Sequence, residues 1–210
     1  MENCVIKIDG KIIDFSYFYV FNKIGNYKIE YSFKQNLTKT NNMFSHCALL
    51  TNLNLSNFNT KNVNNMRNMF EDCSSLKNVN LSNFNTQNVS EMNFMFKGCS
   101  SLTNLDLSSF NTENVISMIF MFKGCSSLTS LDLSSFNVQN DYGMMMSVMH
   151  GMFNQCSSLD NIITNDIRIF IKNLKEKMSL NHYYLSKIVC LLFFQKSLTM
   201  TDFNNIFYSI

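Results

Sequence analysis

Seven cysteines, at Cys4, Cys47, Cys73, Cys99, Cys125, Cys156 and Cys190, are the side chains in this chain best suited to chemistry. Thiols serve as zinc ligands, as nucleophiles beside a histidine, or as disulfides. Along the middle five the steps are 26, 26, 26 and 31 residues, a period rather than the Cys-x-x-Cys spacing of a metal site. One thiol per unit makes a line of atoms where zinc needs a tetrahedral cluster, so the column reads as a small apolar ladder inside a core. Adjacent rungs about 5 Å apart do not exclude a disulfide by Cα distance; a reducing compartment would. Cys4 and Cys190 lie outside the ladder, with no partner to name. No metal and no cofactor is expected.

A cysteine–histidine pair would have to draw on His46, His150 or His182. His46 is adjacent to Cys47, and neighbouring side chains point in different directions; His182 and Cys190 stand eight apart on expected helices. Asp106 and Asp132 occupy equivalent places where the earlier units carry Asn54 and Asn80. Side by side they would hold raised pKa values or bind a cation weakly; the plainer alternative is a solvated pair. The six glycines form neither a GxGxxG nor a Walker pattern. Asn-x-Ser/Thr at Asn36, Asn54, Asn80 and Asn88 follows largely from the repetition. Nothing here supports a catalytic centre, and a non-enzymatic protein is expected.

Composition narrows the partners. The 210 residues are 46% hydrophobic and 15% charged, which suits a folded chain. Seventeen basic against fifteen acidic residues leave a net charge of +2, too little to favour nucleic acid or anionic lipid. Met1–Gly10 carries an acid at Glu2 and no apolar run of signal-peptide length, and the longest uninterrupted apolar run, 188–194, has seven residues. A cytoplasmic chain with no membrane span is therefore expected. There is no proline or tryptophan, and the 32 asparagines read as coding bias more than function.

The period predicts the elements. Val89, Met92, Met95, Phe96 and Cys99 are spaced 3, 3, 1 and 3, offsets that place side chains on one helical face. Leu105-Asp106-Leu107 alternates as a short strand does. Each unit is thus read as a short parallel strand followed by a short helix or 3₁₀ return. One unit cannot bury both faces and must stack, with strands about 4.8 Å apart and like residues in ladders. The expected ladders are Leu50/Leu76/Leu102/Leu128/Leu159, Leu53/Val79/Leu105/Leu131/Ile162, Leu55/Leu81/Leu107/Leu133, Phe58/Phe84/Phe110/Phe136 and Phe44/Phe70/Phe96/Phe122/Phe153.

The string Phe-x-x-Cys-Ser-Ser-Leu-Thr-x-Leu-x-Leu, at Phe96–Leu107 and Phe122–Leu133, resembles the BspA-like leucine-rich repeat surface proteins. More narrowly it is similar to their 26-residue variant with Phe-Asn-Thr-x-Asn-Val, at Phe84–Val89 and Phe110–Val115. Phe58, Phe84 and Phe110 take the place usually held by Asn after the strand, and the Asn falls one residue later. The resemblance implies a leucine-rich-repeat-like α/β solenoid, and adhesion or host-surface binding for exported relatives.

The ends should cap the stack. Ile6–Ile12 alternates around Asp9-Gly10, a two-residue hairpin signal, and Tyr27, Ile29, Tyr31 and Phe33 alternate as a third strand. Residues 1–42 are read as an N-terminal β cap, 43–165 as five coils, and 166–210 as a C-terminal helical cap or decayed tail. Protein recognition is expected on the outward strand positions Asn52, Asn54, Ser56, Asn78, Asn80, Ser82, Asn104, Asp106, Ser108, Ser130, Asp132 and Ser134. The alternative is an intracellular structural or regulatory scaffold, docking through the Met-rich insertion Met144–Met149 or the C-terminal helices.

Overall fold

The computed structural model describes residues 4–14, 20, 23, 25, 27–33, 36–137 and 149–164. The expected C-terminal helices, with His182 and Cys190, and the Met-rich insertion up to residue 148 lie outside the described residues. The chain divides into two compact units, Met1–Leu37 and Thr38–Ile210.

In the first unit, β1 (Cys4–Ile8) and β2 (Lys11–Ile13) form an antiparallel hairpin that pairs Ile8 with Lys11. Asp9 and Gly10 both adopt positive φ, 48° and 80°, the requirement of a two-residue turn whose twist matches its strands. β3 (Ile29–Phe33) joins the other edge of β1, giving the order β2-β1-β3. Ile6 and Ile8 bury the inner face of this sheet.

The second unit is a stack of repeats. β4 (Asn52–Asn54) pairs in parallel with β5 (Asn78–Asn80), and β6 (Ser130–Asp132) with β7 (Asn161–Ile163). Partners are the equivalent residues of consecutive copies, so the register is the period. Two columns of phenylalanine follow it. Rings 44, 70, 96, 122 and 153 succeed one another at centroid distances of 5.7, 5.3, 5.8 and 6.1 Å. Rings 58, 84, 110 and 136 do so at 6.0, 6.2 and 6.5 Å. Each stacked pair adds about 0.5–1.5 kcal/mol beyond the area it buries. Leu76, Leu102, Leu128 and Leu159, and Leu81, Leu107 and Leu133, are buried beside them. The first copy is looser, with Leu50, Leu53 and Phe58 only half-buried, as is Val79.

Two expectations are corrected. Among the described residues there is no helix, and the segment expected to return as a helix is a run of tight turns. Its N–H groups divide by parity. Met69, Glu71 and Cys73 donate to the third carbonyl back, at Met66, Asn68 and Phe70. Asn68, Phe70 and Asp72 donate instead to Asn93, Met95 and Lys97 of the next repeat, at 2.9, 2.9 and 2.7 Å. A helix would keep all these bonds to itself and leave none of these N–H groups for the neighbouring repeat. Left-handed residues four apart enforce the arrangement: Asn42 and His46, Asn68 and Asp72, Phe94 and Gly98, Phe120 and Gly124, Gly151 and Gln155. At Gly98 a Cβ would overlap the Asp72 carboxylate, and at Gly151 it would meet the Phe120 ring, so a side chain at either place would make its neighbour shift. Phe94 and Phe120, at φ 58° and 54°, are bulky residues in a region that costs about 1–3 kcal/mol each.

The second correction is the strand expected at Leu105-Asp106-Leu107. Leu105 and Leu107 are buried and Asp106 is exposed, but this stretch joins neither β5 nor β6. The turn bonds already set the spacing of the repeats, so pairing of this short stretch is dispensable. The ladder also begins earlier than residue 43: Lys39 bridges Asn65, which bridges Glu91, which bridges Ser117. Thr40, buried, stands where later copies have Met66, Met92 and Met118, which hides the start of the first copy.

Polar motif residues staple the repeats. Buried Thr60, Thr86 and Thr112 each donate a hydroxyl to the carbonyl of Asn85, Asn111 and Asn137, and accept the same residue's N–H. The first Asn of the motif closes a local turn, as Asn85 Oδ1 does on Gln87 N–H at 3.1 Å. The second reaches back, as Asn88 Nδ2 does to Lys61 and Asn114 Nδ2 to Gln87. Ser74, Ser100 and Ser126 donate to the carbonyls of Ala48, Ser74 and Ser100. These asparagines have structural work, which corrects their reading as coding bias.

Thr86→Val keeps the shape but strands both backbone groups of Asn111; it should lose about 1–3 kcal/mol in urea unfolding, with Thr86→Ser closer to wild type. Hydrogen exchange should find Phe70 and Phe96 amides strongly protected and those of Asn104–Leu107 exchanging fast.

Candidate functional site

The expected recognition face is built from the strand segments. β4, β5 and β6 bury Leu131 and half-bury Leu53 and Val79, which turns Asn52, Asn54, Asn78, Asn80, Ser130 and Asp132 outward; all six are exposed. Asn104 and Asp106 are likewise exposed on the unpaired stretch between them. Ser56, Ser82, Ser108 and Ser134 follow each segment as it turns; all but half-buried Ser56 are exposed. Register brings Asn52 opposite Asn78 and Asn54 opposite Asn80.

Much of the polar capacity is spent locally. Asn54, Asn80, Asp106 and Asp132 each accept the N–H of the serine two residues on, at 3.0, 3.1, 2.9 and 2.8 Å. This is the turn that ends each strand segment. Asn78 Nδ2 donates to Asn52 Oδ1 at 3.3 Å, the start of an amide row. Asn52 and Asn104 each lean on the preceding threonine hydroxyl. The row passes from amides in the first two copies to carboxylates in the next two.

Asp106 and Asp132 do not carry raised pKa values. The serine hydroxyls of Ser108 and Ser134, and then the backbone N–H groups of the same residues, hold both carboxyls below the usual aspartate range. Asp106 raises Asp132 only as the smallest of its influences. Both are therefore anions at neutral pH.

The face extends beyond the expected residues. β7 places Asn161 opposite Ser130 and Ile163 opposite Asp132, both exposed. Ile162 was legible as a ladder residue, and its two neighbours follow from strand alternation.

The cysteine column proves to be a set of internal hydrogen-bond donors. Cys73, Cys99, Cys125 and Cys156 are buried free thiols whose Sγ lies 3.0, 3.1, 3.2 and 3.0 Å from the carbonyls of Phe44, Phe70, Phe96 and Phe122. Burial pushes the Cys73 thiol up to about 12 and raises Cys99 and Cys125 as well, so none of these three offers a thiolate. Cys47, expected in the buried ladder, is exposed, because no repeat precedes it to supply a carbonyl and a cover. His46 pairs with Asp72 at 3.4 Å rather than with a thiol. Among the described residues no group of three or more His, Cys, Asp or Glu is placed to hold a metal ion. No helix there is long and apolar enough to cross a membrane.

Fold and face together define a tandem-repeat protein that presents a polar strand row. The chain belongs to the family described as Mycoplasma protein of unknown function, DUF285, which matches residues 16–115 and 38–166. Among solved structures it is similar to a leucine-rich repeat protein from Bacteroides ovatus, at 20% identity and a TM-score of 0.39. That similarity covers 59% of this chain and 27% of the other, so the chain spans about a quarter of that protein's length. No curated protein matches.

Alkylation of the native protein, read by peptide mass spectrometry, should label Cys47 rapidly and Cys73, Cys99, Cys125 and Cys156 only after denaturant. Labelling of the buried four at the Cys47 rate would restore a reactive-thiol reading. The carboxyl titrations of Asp106 and Asp132, followed by NMR, should have midpoints below the usual aspartate value. A group whose folded pKa is depressed adds stability above its unfolded pKa and loses it as pH falls through the folded one. Binding and stability that depend on these two should thus hold from neutrality down to about pH 5.

Proposed function

We propose that this chain is a non-enzymatic protein-recognition module, a leucine-rich-repeat-like solenoid of the BspA-like kind that holds a protein ligand on its strand row. One observation carries the reading. Each copy repeats the same outward positions, exposed apart from half-buried Ser56 and paired in register in β4/β5 and β6/β7, while Thr60, Ser100 and their equivalents are consumed in holding copies together. Repetition at a fixed spacing makes a flat, extended surface suited to another macromolecule and ill suited to enclosing a small substrate.

The atoms left for a ligand are specific. Oδ1 of Asn54 and Asn80 is engaged by the following serine, so these side chains offer their Nδ2 donors. Asp106 and Asp132, exposed and ionised, present negative charge. A partner meeting the row would place acceptors against the first two copies and cationic groups against the next two. An adhesion-like role follows from the resemblance to exported surface proteins.

A photoreactive benzophenone side chain at Asn78, with a control at Ile116, exposed on another segment of the repeat, tests this in the native cell. Crosslinked protein from position 78 and little from 116 is expected; the reverse pattern would move recognition off the strand row. Against a partner so captured, Asp106→Asn with Asp132→Asn should weaken binding about tenfold, chiefly through slower association, and flatten its salt dependence.

A further inference from the structure

On the turn segment, away from the strand row, the first left-handed position runs Asn42, Asn68, Phe94, Phe120, Gly151 through the copies. Asparagine and glycine are the residues this backbone accepts most readily, and phenylalanine among the least. The two rings lie 5.6 Å apart and tilted by 32°, and both residues are half-buried, so part of each meets solvent. Cations gather on them. The Arg67 guanidinium is 5.5 Å from the Phe94 centroid, and the Lys123 ammonium 4.9 Å from that of Phe120. Lys97 also approaches Phe94, at 5.6 Å, but its charge is met by Glu71 at 2.7 Å. Exposed His150 packs edge-on against Phe120.

Arg67 and Lys123 stand two repeats apart at either side of the ring pair, and among the described residues no carboxylate forms an ion pair with either. Gly151 is fitted to the arrangement, since any side chain there would displace the Phe120 ring. Strained aromatics flanked by unneutralised cations are a poor choice for covering a core that leucine and methionine already fill. They are a good choice for a ligand that brings negative charge and an apolar ring.

We propose that Arg67, Phe94, Phe120 and Lys123 form a second docking ledge, whose occupant is an acidic peptide segment carrying an aromatic side chain. The carboxylates neutralise Arg67 and Lys123, and the aromatic group packs on the part of the Phe94–Phe120 pair left to solvent. A polyphosphate chain fits less well, because it brings the charge that suits Arg67 and Lys123 but no apolar ring to pack against Phe94 and Phe120. The ledge uses no residue of the strand row, so it stands or falls independently of recognition there.

The test uses the full chain and three fluorescein-labelled probes: an octapeptide alternating Glu and Tyr, an octapeptide of Glu alone, and a ten-nucleotide oligouridylate. Anisotropy should detect the Glu-Tyr peptide best, with poly-Glu weaker by about fivefold or more and the oligonucleotide weakest. Arg67→Glu with Lys123→Glu should abolish binding of the Glu-Tyr peptide. Phe94→Asn with Phe120→Asn installs the residue already present at Asn42 and Asn68; it should cut binding about tenfold while leaving the thermal midpoint unchanged or higher. A fall in the midpoint with peptide binding intact would mean that the rings are structural and would overturn the proposal. So would tighter binding of the oligonucleotide than of either peptide, or no binding of the Glu-Tyr peptide by the folded wild-type chain.

Discussion

Backbone hydrogen bonding between repeats is the constraint on which this structure depends. A repeat of this length folded by itself would leave half of its turn-segment N–H groups unanswered, and buried amides without partners are too costly to persist. The donors of Phe44, Phe70, Phe96 and Phe122 are all answered by the following copy. Hydrophobic ladders supply most of the driving force, but the lateral bonds fix which residue faces which. They hold the phenylalanine columns at stacking distance, and they bring each buried thiol within reach of a carbonyl one copy earlier.

The same constraint explains why so many polar residues with apparent chemical promise are structural. Thr86 both donates to and accepts from Asn111, a closed exchange inside the stack. Ser100 and Cys99 bond to the copy before them in the same way. Left exposed or half-exposed by the stacking are most of the outward strand row on one segment and the ring pair with its cations on another.

Much of this was legible in the sequence. Cysteine spacing set the period, and the leucine and phenylalanine ladders followed from it, since burial of equivalent residues is the one way such copies pack. The helix was misread for a specific reason. Met92, Met95, Phe96 and Cys99 face inward at offsets that a helix and a chain of tight turns share, so apolar spacing alone does not separate them. Asn68, Asp72, Gly98 and Gly124 carried the missing signal, being residues that tolerate left-handed backbone, while Phe94 and Phe120 concealed it. Burial pattern at Leu105 and Leu107 was likewise readable, but strand pairing there depends on carbonyl and amide positions that side-chain identity does not report. The charge state of Asp106 and Asp132 turned on the serine two residues later, a contact visible as Asp-x-Ser only once the turn is known.

The bonds of the turn segment also share a direction. From Asn42 N–H to Arg67 carbonyl through Gly124 N–H to Asn154 carbonyl, every donor points toward the later copy and every acceptor toward the earlier one. Peptide dipoles arranged head to tail add together, as they do along a helix axis. Elsewhere in each repeat the inter-copy bonds run the other way, as Asn64, Ser75, Ser90, Ser101, Ile116 and Ser127 donate to the earlier copy, so the turn-segment dipoles are opposed by others in the same stack. Each repeat thus both gives and receives amide protons across each of its boundaries, and an added copy would meet donors and acceptors on the same surface.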